Sequence, residues 1–286
     1  MNIFYSLEDY ISYFTIFSRV SKKYEVNVLG ICLMYDHVHA LVSASDKETL
    51  GRCIGEITSW FVKEYNLGHG RTGSLFNVPF GSSVKAGDKQ IRTAIAYLYN
   101  NPVEKKLCKR AEQYRWNFLA YACSSSPFSV SRKYREISVS LRKAKSEICC
   151  SFRSGYHVNR LMLRRLLKSL DSVEQEMLVD YIVSLYSCID YESLIAFYGG
   201  YDLMLTAVNS NTGSEYDIRE TFCRAPDLSY SDMISYLTKE CGLFEDAGQV
   251  ISLPLNRKLE LFQALRKATA ATDYQIRKFL HLQTVI

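Results

Sequence analysis

Apolar residues recur at helical spacing from the start of the chain. Leu7, Tyr10, Ile11, Phe14, Phe17 and Val20 lie three or four apart and predict a helix over residues 1 to about 24. The pattern then changes. Residues 28–42 form an apolar run with β-branched members, bounded by polar segments, which predicts one buried strand. Helical spacing returns after Asp46, where Leu50, Ile54, Ile57, Phe61 and Tyr65 form one stripe. Gly68 to Phe76 is glycine-rich and reads as a loop. It leads into an apolar and small-residue stretch, Leu75 to Val84, with the character of a second strand. A third helix is predicted from Asp88 to Asn100, with Ile91, Ile95 and Leu98 on its apolar stripe. Pro102 should end or distort it. Strand–helix alternation up to about residue 122 argues for an α/β or α+β domain. Ser124 to Ser129 carries a linker signal. Beyond it the pattern is helical, with helices expected at 158–170, 173–187, 190–198, 230–240, 256–268 and 272–282. There is no internal repeat.

Composition fits this two-part plan. A chain of 286 residues exceeds one typical core, and 48% hydrophobic content indicates an ordered globular protein. The formal net charge is only +5, but it is unevenly placed. Between Arg132 and Lys168 stand eleven Lys/Arg against two acidic residues, Glu136 and Glu147. Such a segment suits either a phosphate backbone or a solvated helix face. The nine cysteines lack Cys-x-x-Cys spacing, and adjacent Cys149 and Cys150 cannot form an ordinary bridge with each other. No signal peptide is expected from the N-terminal pattern, and no apolar run is long enough to span a membrane. Free thiols in a reducing cytoplasm follow as the simplest expectation.

The chemistry-bearing feature is His37-Val38-His39. Side chains two apart on a strand share a face, so both imidazoles should project together from an apolar surface. They are either a divalent-metal site or a pair of hydrogen-bonded core histidines. The third helix brings Tyr97 and Asn101, four apart and therefore on one face. An Asn carbonyl oxygen is a suitable further ligand for a hard cation. That places Tyr97 one turn from the metal. A phenol is a weak nucleophile at neutral pH, and a cation that polarises a phosphate would offset that. With 21 tyrosines in the chain, Tyr97 alone could equally be a packing residue. Tyr99, on roughly the opposite side of the helix, serves as a structural control.

Four local motifs, in order, resemble the single-tyrosine HUH transposases, specifically the branch of REP-associated tyrosine transposases. They are Cys32-Leu-Met-Tyr-Asp-His-Val-His39, Gly70-Arg-Thr-Gly-Ser-Leu-Phe76, Tyr97-Leu-Tyr-Asn-Asn-Pro-Val103 and the aromatic tail Gln113-Tyr-Arg-Trp-Asn-Phe-Leu-Ala-Tyr121. The resemblance covers about residues 3–122. It implies an α+β catalytic domain, an antiparallel sheet with flanking helices of ferredoxin-like type, followed by an all-α C-terminal region. It implies single-stranded or hairpin DNA as partner and Mg²⁺ or Mn²⁺ as cofactor. By position, Tyr97 is the nucleophile that forms a 5′-phosphotyrosine, His37 and His39 are metal ligands, and Asn101 is the third ligand. Relatives usually begin with a strand before the first helix, whereas Met1 to Phe4 stand directly before it here. A sheet without that strand would have a new exposed edge. Gly81 stands where relatives commonly carry a basic residue.

The expected division is a catalytic domain at 1–122, a basic linker at 123–157 and a helical DNA-binding or accessory domain at 158–286. Arg71 in the glycine-rich loop and Arg160, Arg164, Arg165 and Lys168 on one later helix are the expected phosphate contacts. Thr272-Asp-Tyr-Gln-Ile resembles the capped start of a helix-turn-helix unit. His157 and His281 have no partners at ligand spacing and read as structural. The expected assembly is a monomer or homodimer. The alternative activity is that of a domesticated, cleavage-incompetent protein that holds DNA hairpins.

Overall fold

The computed structural model describes residues 1–76, 80–130, 136–210, 227–240 and 246–282. The described residues are mostly helical, with a two-stranded antiparallel sheet near the N-terminus. Helix α1 (Leu7–Lys23) is the central element, and its residues from Asp9 to Ser18 are all buried. Within this buried helix Thr15 is satisfied internally, donating to the Ile11 carbonyl and accepting from the Val158 amide. The start of α1 is held by Asp9, whose Oδ2 accepts from the amides of Tyr5 and Ser6.

Residues 28–42 are a hairpin rather than one strand. Strands β1 (Asn27–Leu33) and β2 (Val38–Ser43) pair antiparallel around a turn closed by the Met34 amide and the His37 carbonyl at 2.9 Å. Side-chain alternation along β1 assigns its two faces. Ile31 and Leu33 join the core built on α1, while Cys32 and Met34 join a second core built on α3 (Gly87–Glu104). Gly30 allows the close approach of α3, since a Cβ there would lie 2.8 Å from the Tyr99 hydroxyl.

Helix α2 (Lys47–His69) packs along α1, with Asp46 accepting from the Thr49 amide at its N-terminus. The expected strand at 75–84 is not found. Leu75, Phe76 and residues 80–84 are irregular, and residues 77–79 lie outside the described residues. Helix α3 runs through Pro102 to Glu104, beyond its expected end at Asn100. Pro102 sits in the last turn, where it removes one donor without interrupting a following segment.

The second half is helical, as expected, with two elements the pattern did not yield. Helix α4 (Val139–Arg153) stands inside the stretch read as a linker, and buries Leu141, Ala144 and Ile148. After α5 (Arg160–Leu167), α6 (Ser172–Tyr186) and α7 (Tyr191–Tyr198) comes the unanticipated α8 (Tyr201–Ser210). Then follow α9 (Leu228–Ser235), α10 (Leu255–Ala268) and α11 (Asp273–Phe279). The Thr272 hydroxyl accepts from the Gln275 amide, so the capped start of α11 is present. One continuous hydrophobic cluster joins residues from Ile3 to Leu280. Among the described residues no helix is long and apolar enough to cross a membrane, and every described cysteine is a free thiol.

Candidate active site

The hairpin turn and α3 build the site together. Cys32 pairs with His39 across the sheet, so His39 shares the face of β1 that meets α3. His37 is two residues earlier, just before β2, and its ring lies 4.7 Å from that of His39 at 80°. From α3, the Tyr97 ring meets the His39 ring edge-on at 5.3 Å. One turn along, Asn101 Nδ2 is 3.2 Å from His39 Nε2. The four residues expected to form the centre are thus drawn from two elements into one cluster.

Protonation and hydrogen bonding leave it lone pairs to offer. Burial, followed by the neighbouring His37, lowers the His39 pKa from 6.5 to about 3, so His39 is neutral near pH 7. His37 Nδ1 is bonded to the Asp36 carboxylate, while His37 Nε2 is buried without a hydrogen-bond partner. Asn101 Oδ1 is likewise buried without one. Tyr97 is buried and the His37 side chain is 35% exposed, so His37 forms the open rim of the cluster. Tyr99 points away, fully buried, with its hydroxyl donating to the Leu29 carbonyl at 3.1 Å.

Two acidic residues at this cluster were not anticipated. Burial alone would raise the Asp36 carboxyl, but His37 and Lys278 outweigh it and hold it well below its ordinary value. Its place beside His37 in sequence was the available signal. Asp227, at the start of α9, is buried, and desolvation and then the Asp36 charge push its pKa up to about 6. Its sequence context offers no such signal.

The expected phosphate contacts are placed differently. Arg160 is buried, and its guanidinium is bonded to Asp9 and Asp246. Asp9 also accepts from His69 Nε2 at 3.0 Å, so α1, α2, α5 and the 246–252 turn share one ionic network. Arg164 pairs with Asp246 at 2.7 Å and with Glu8, and Arg165 pairs with Glu147. Arg71 folds back on its own loop, bonding Asn66 Oδ1 at 2.8 Å and the Ser74 carbonyl. Lys168 is exposed on the wall of a cavity of about 450 Å³ that Arg164 and Asp246 also line. The structure does not gather these five cations around Tyr97, and it makes Arg160 an interior residue. Arg132, Lys133 and Arg135 of the basic run lie outside the described residues.

Among the described residues, no group of three or more His, Cys, Asp and Glu is arranged to hold a metal ion. A donor set here must therefore include the Asn101 amide. Two imidazole nitrogens and an amide oxygen, with His37 Nε2 and Asn101 Oδ1 buried without hydrogen-bond partners, form a mixed nitrogen–oxygen donor set that fits a divalent cation.

The family described as "Transposase IS200 like" matches residues 3–101. The N-terminal region is thus similar to that transposase family. The matched residues include His37, His39, Tyr97 and Asn101. No curated protein and no solved structure matches the chain.

Proposed function

We propose that this protein, similar over residues 3–101 to a transposase family, cuts and rejoins single-stranded or hairpin DNA through a covalent link to Tyr97, at a centre where His37, His39 and Asn101 hold Mg²⁺ or Mn²⁺. The observation that carries the reading is the packing of Tyr97 and Asn101, one helical turn apart, against His39 beside the orphaned nitrogen of His37. A bound cation would polarise the scissile phosphate and stabilise the charge that builds on it. Tyr97 Oη bonds to phosphorus as the P–O3′ bond breaks. The phenolic proton passes to solvent and the departing 3′ oxygen gains one, leaving a 5′-phosphotyrosine and a free 3′-hydroxyl. Attack by another 3′-hydroxyl reverses the step without an external energy source. The motifs at 32–39, 70–76, 97–103 and 113–121 favour the REP-associated branch, and with it hairpin substrates.

The test is a labelled hairpin library incubated with the full chain and Mn²⁺, resolved by denaturing gel. A covalent adduct is expected, lost in Tyr97→Phe and retained in Tyr99→Phe. Adduct formation by Tyr97→Phe would overturn the nucleophile. Hairpin binding with no adduct from the wild-type chain supports the cleavage-incompetent alternative instead.

A further inference from the structure

We infer that Lys278 and Asp36 form a relay that positions His37, so that the last described helix of the chain is part of the candidate centre. The inference rests on the reading of His37 as a metal ligand. The two oxygens of Asp36 are divided between two partners: Oδ1 takes His37 Nδ1 and Oδ2 takes Lys278 Nζ. A carboxylate bonded from both sides has a fixed plane. That plane fixes the imidazole, because a ring nitrogen facing a carboxylate carries the proton and its opposite nitrogen carries the lone pair. Nε2, the nitrogen left unprotonated by this arrangement, is the buried one without a hydrogen-bond partner. Asp36 is therefore a positioning residue for His37, and Lys278 a positioning residue for Asp36.

An independent set of contacts holds Lys278 in place. The Asn2 amide donates to the Lys278 carbonyl at 3.2 Å, and the Tyr5 hydroxyl donates to the Phe279 carbonyl. His281 Nε2 donates to the Asn2 carbonyl at 2.9 Å. The same N-terminal segment reaches the hairpin turn, where the amides of Ile3 and Phe4 both donate to the Tyr35 carbonyl, at 2.7 and 3.0 Å. Residues 2–5 thus form a backbone bridge with α11 on one side and the turn carrying Asp36 and His37 on the other. Ile276, Phe279 and Leu280 are fully buried behind it. Lys278 reaches Asp36 from a scaffold that backbone hydrogen bonds already fix.

The test compares the full-length wild type with Asp36→Asn, Lys278→Met and Lys278→Arg, all without DNA. The Met variant keeps the aliphatic stem, and the Asn variant keeps the shape of Asp36. Long-range ¹H–¹⁵N correlation on ¹⁵N-histidine protein reads the His37 tautomer, and calorimetric titration with Mn²⁺ reads metal affinity. The wild type is expected to carry the proton on Nδ1. In Asp36→Asn and Lys278→Met the His37 signals should move toward the Nε2-protonated form, with Mn²⁺ binding weakened by about 10- to 100-fold. Lys278→Arg should restore both. Unchanged tautomer and affinity in both Asp36→Asn and Lys278→Met would overturn the relay, even if the wild type forms the DNA adduct. A tautomer shift with weakened Mn²⁺ binding upholds it, even if no adduct ever forms. Should Lys278→Met fail to fold, Asp36→Asn against Lys278→Arg decides the question.

Discussion

Arg160 shows how the same residue type can serve opposite purposes. In sequence it belongs to a basic run on one helix, which suits either a phosphate backbone or a solvated face. In the fold it is 4% exposed and bonded to Asp9 and Asp246, which stand 151 and 86 residues away. No local pattern exposes pairings at that distance. His37, His39, Tyr97 and Asn101 were legible because their relations are local: two apart near a strand, four apart on a helix. The Arg160 network gives a direct expectation. Arg160→Met should lower unfolding free energy by about 3 kcal/mol, because Asp9 loses its guanidinium partner inside the core while Asp246 keeps Arg164. Urea denaturation measures it. A loss near zero, with weakened DNA binding, would return Arg160 to the phosphate-contact role.

At the scale of elements, the turn in residues 28–42 was the feature hidden from the sequence. Two-residue hairpin turns often announce themselves through Asn-Gly or Asp-Gly pairs, which accept positive φ. Here the loop is Tyr35-Asp36, and neither residue has positive φ. Helix α4 was hidden differently: its three buried apolar residues are sparse among basic ones, and the charge run masks the stripe. Helix α11 was legible from its capping residues, but its docking on residues 2–5 was not. That docking has a pH signature. Burial, the largest effect on His281, lowers its pKa from 6.5 to about 4 in the folded chain. Between those values the unfolded chain binds more protons than the folded one, so stability must fall as pH drops from about 7 to 4. The loss from His281 is at most about 3 kcal/mol. His39, lowered to about 3 by burial and by His37, adds in the same direction. His281→Gln, which keeps a donor for the Asn2 carbonyl, should flatten the slope of urea-derived stability between pH 7 and 4. An unchanged slope would show that His281 titrates normally in the folded chain.

At the scale of the whole molecule, the family match ends at Asn101 while the packing does not. Local periodicity yields helices and a linker signal, but it carries no information about which faces meet. The faces that meet here join both halves of the chain. Helix α1 is covered by α2 from its own half and by α5 and α6 from the other. Asp9 draws its charge partner from α5, and the Tyr121 hydroxyl donates to Asp180 on α6 at 2.7 Å. Lys278 reaches the candidate centre from α11. A fragment of residues 1–122 would keep all four proposed catalytic residues. It would also expose the α5- and α6-facing side of α1 to water and leave buried Asp9 without its arginine. Exposed apolar surface and an unpaired interior charge act in the same direction. The full chain should therefore unfold in one cooperative urea transition. The 1–122 fragment should retain far-ultraviolet helical signal while losing near-ultraviolet dichroism and binding a hydrophobic dye, the marks of lost tertiary packing. A fragment that melts cooperatively and forms the DNA adduct would establish the family region as self-sufficient, and would reduce the helical half to an accessory.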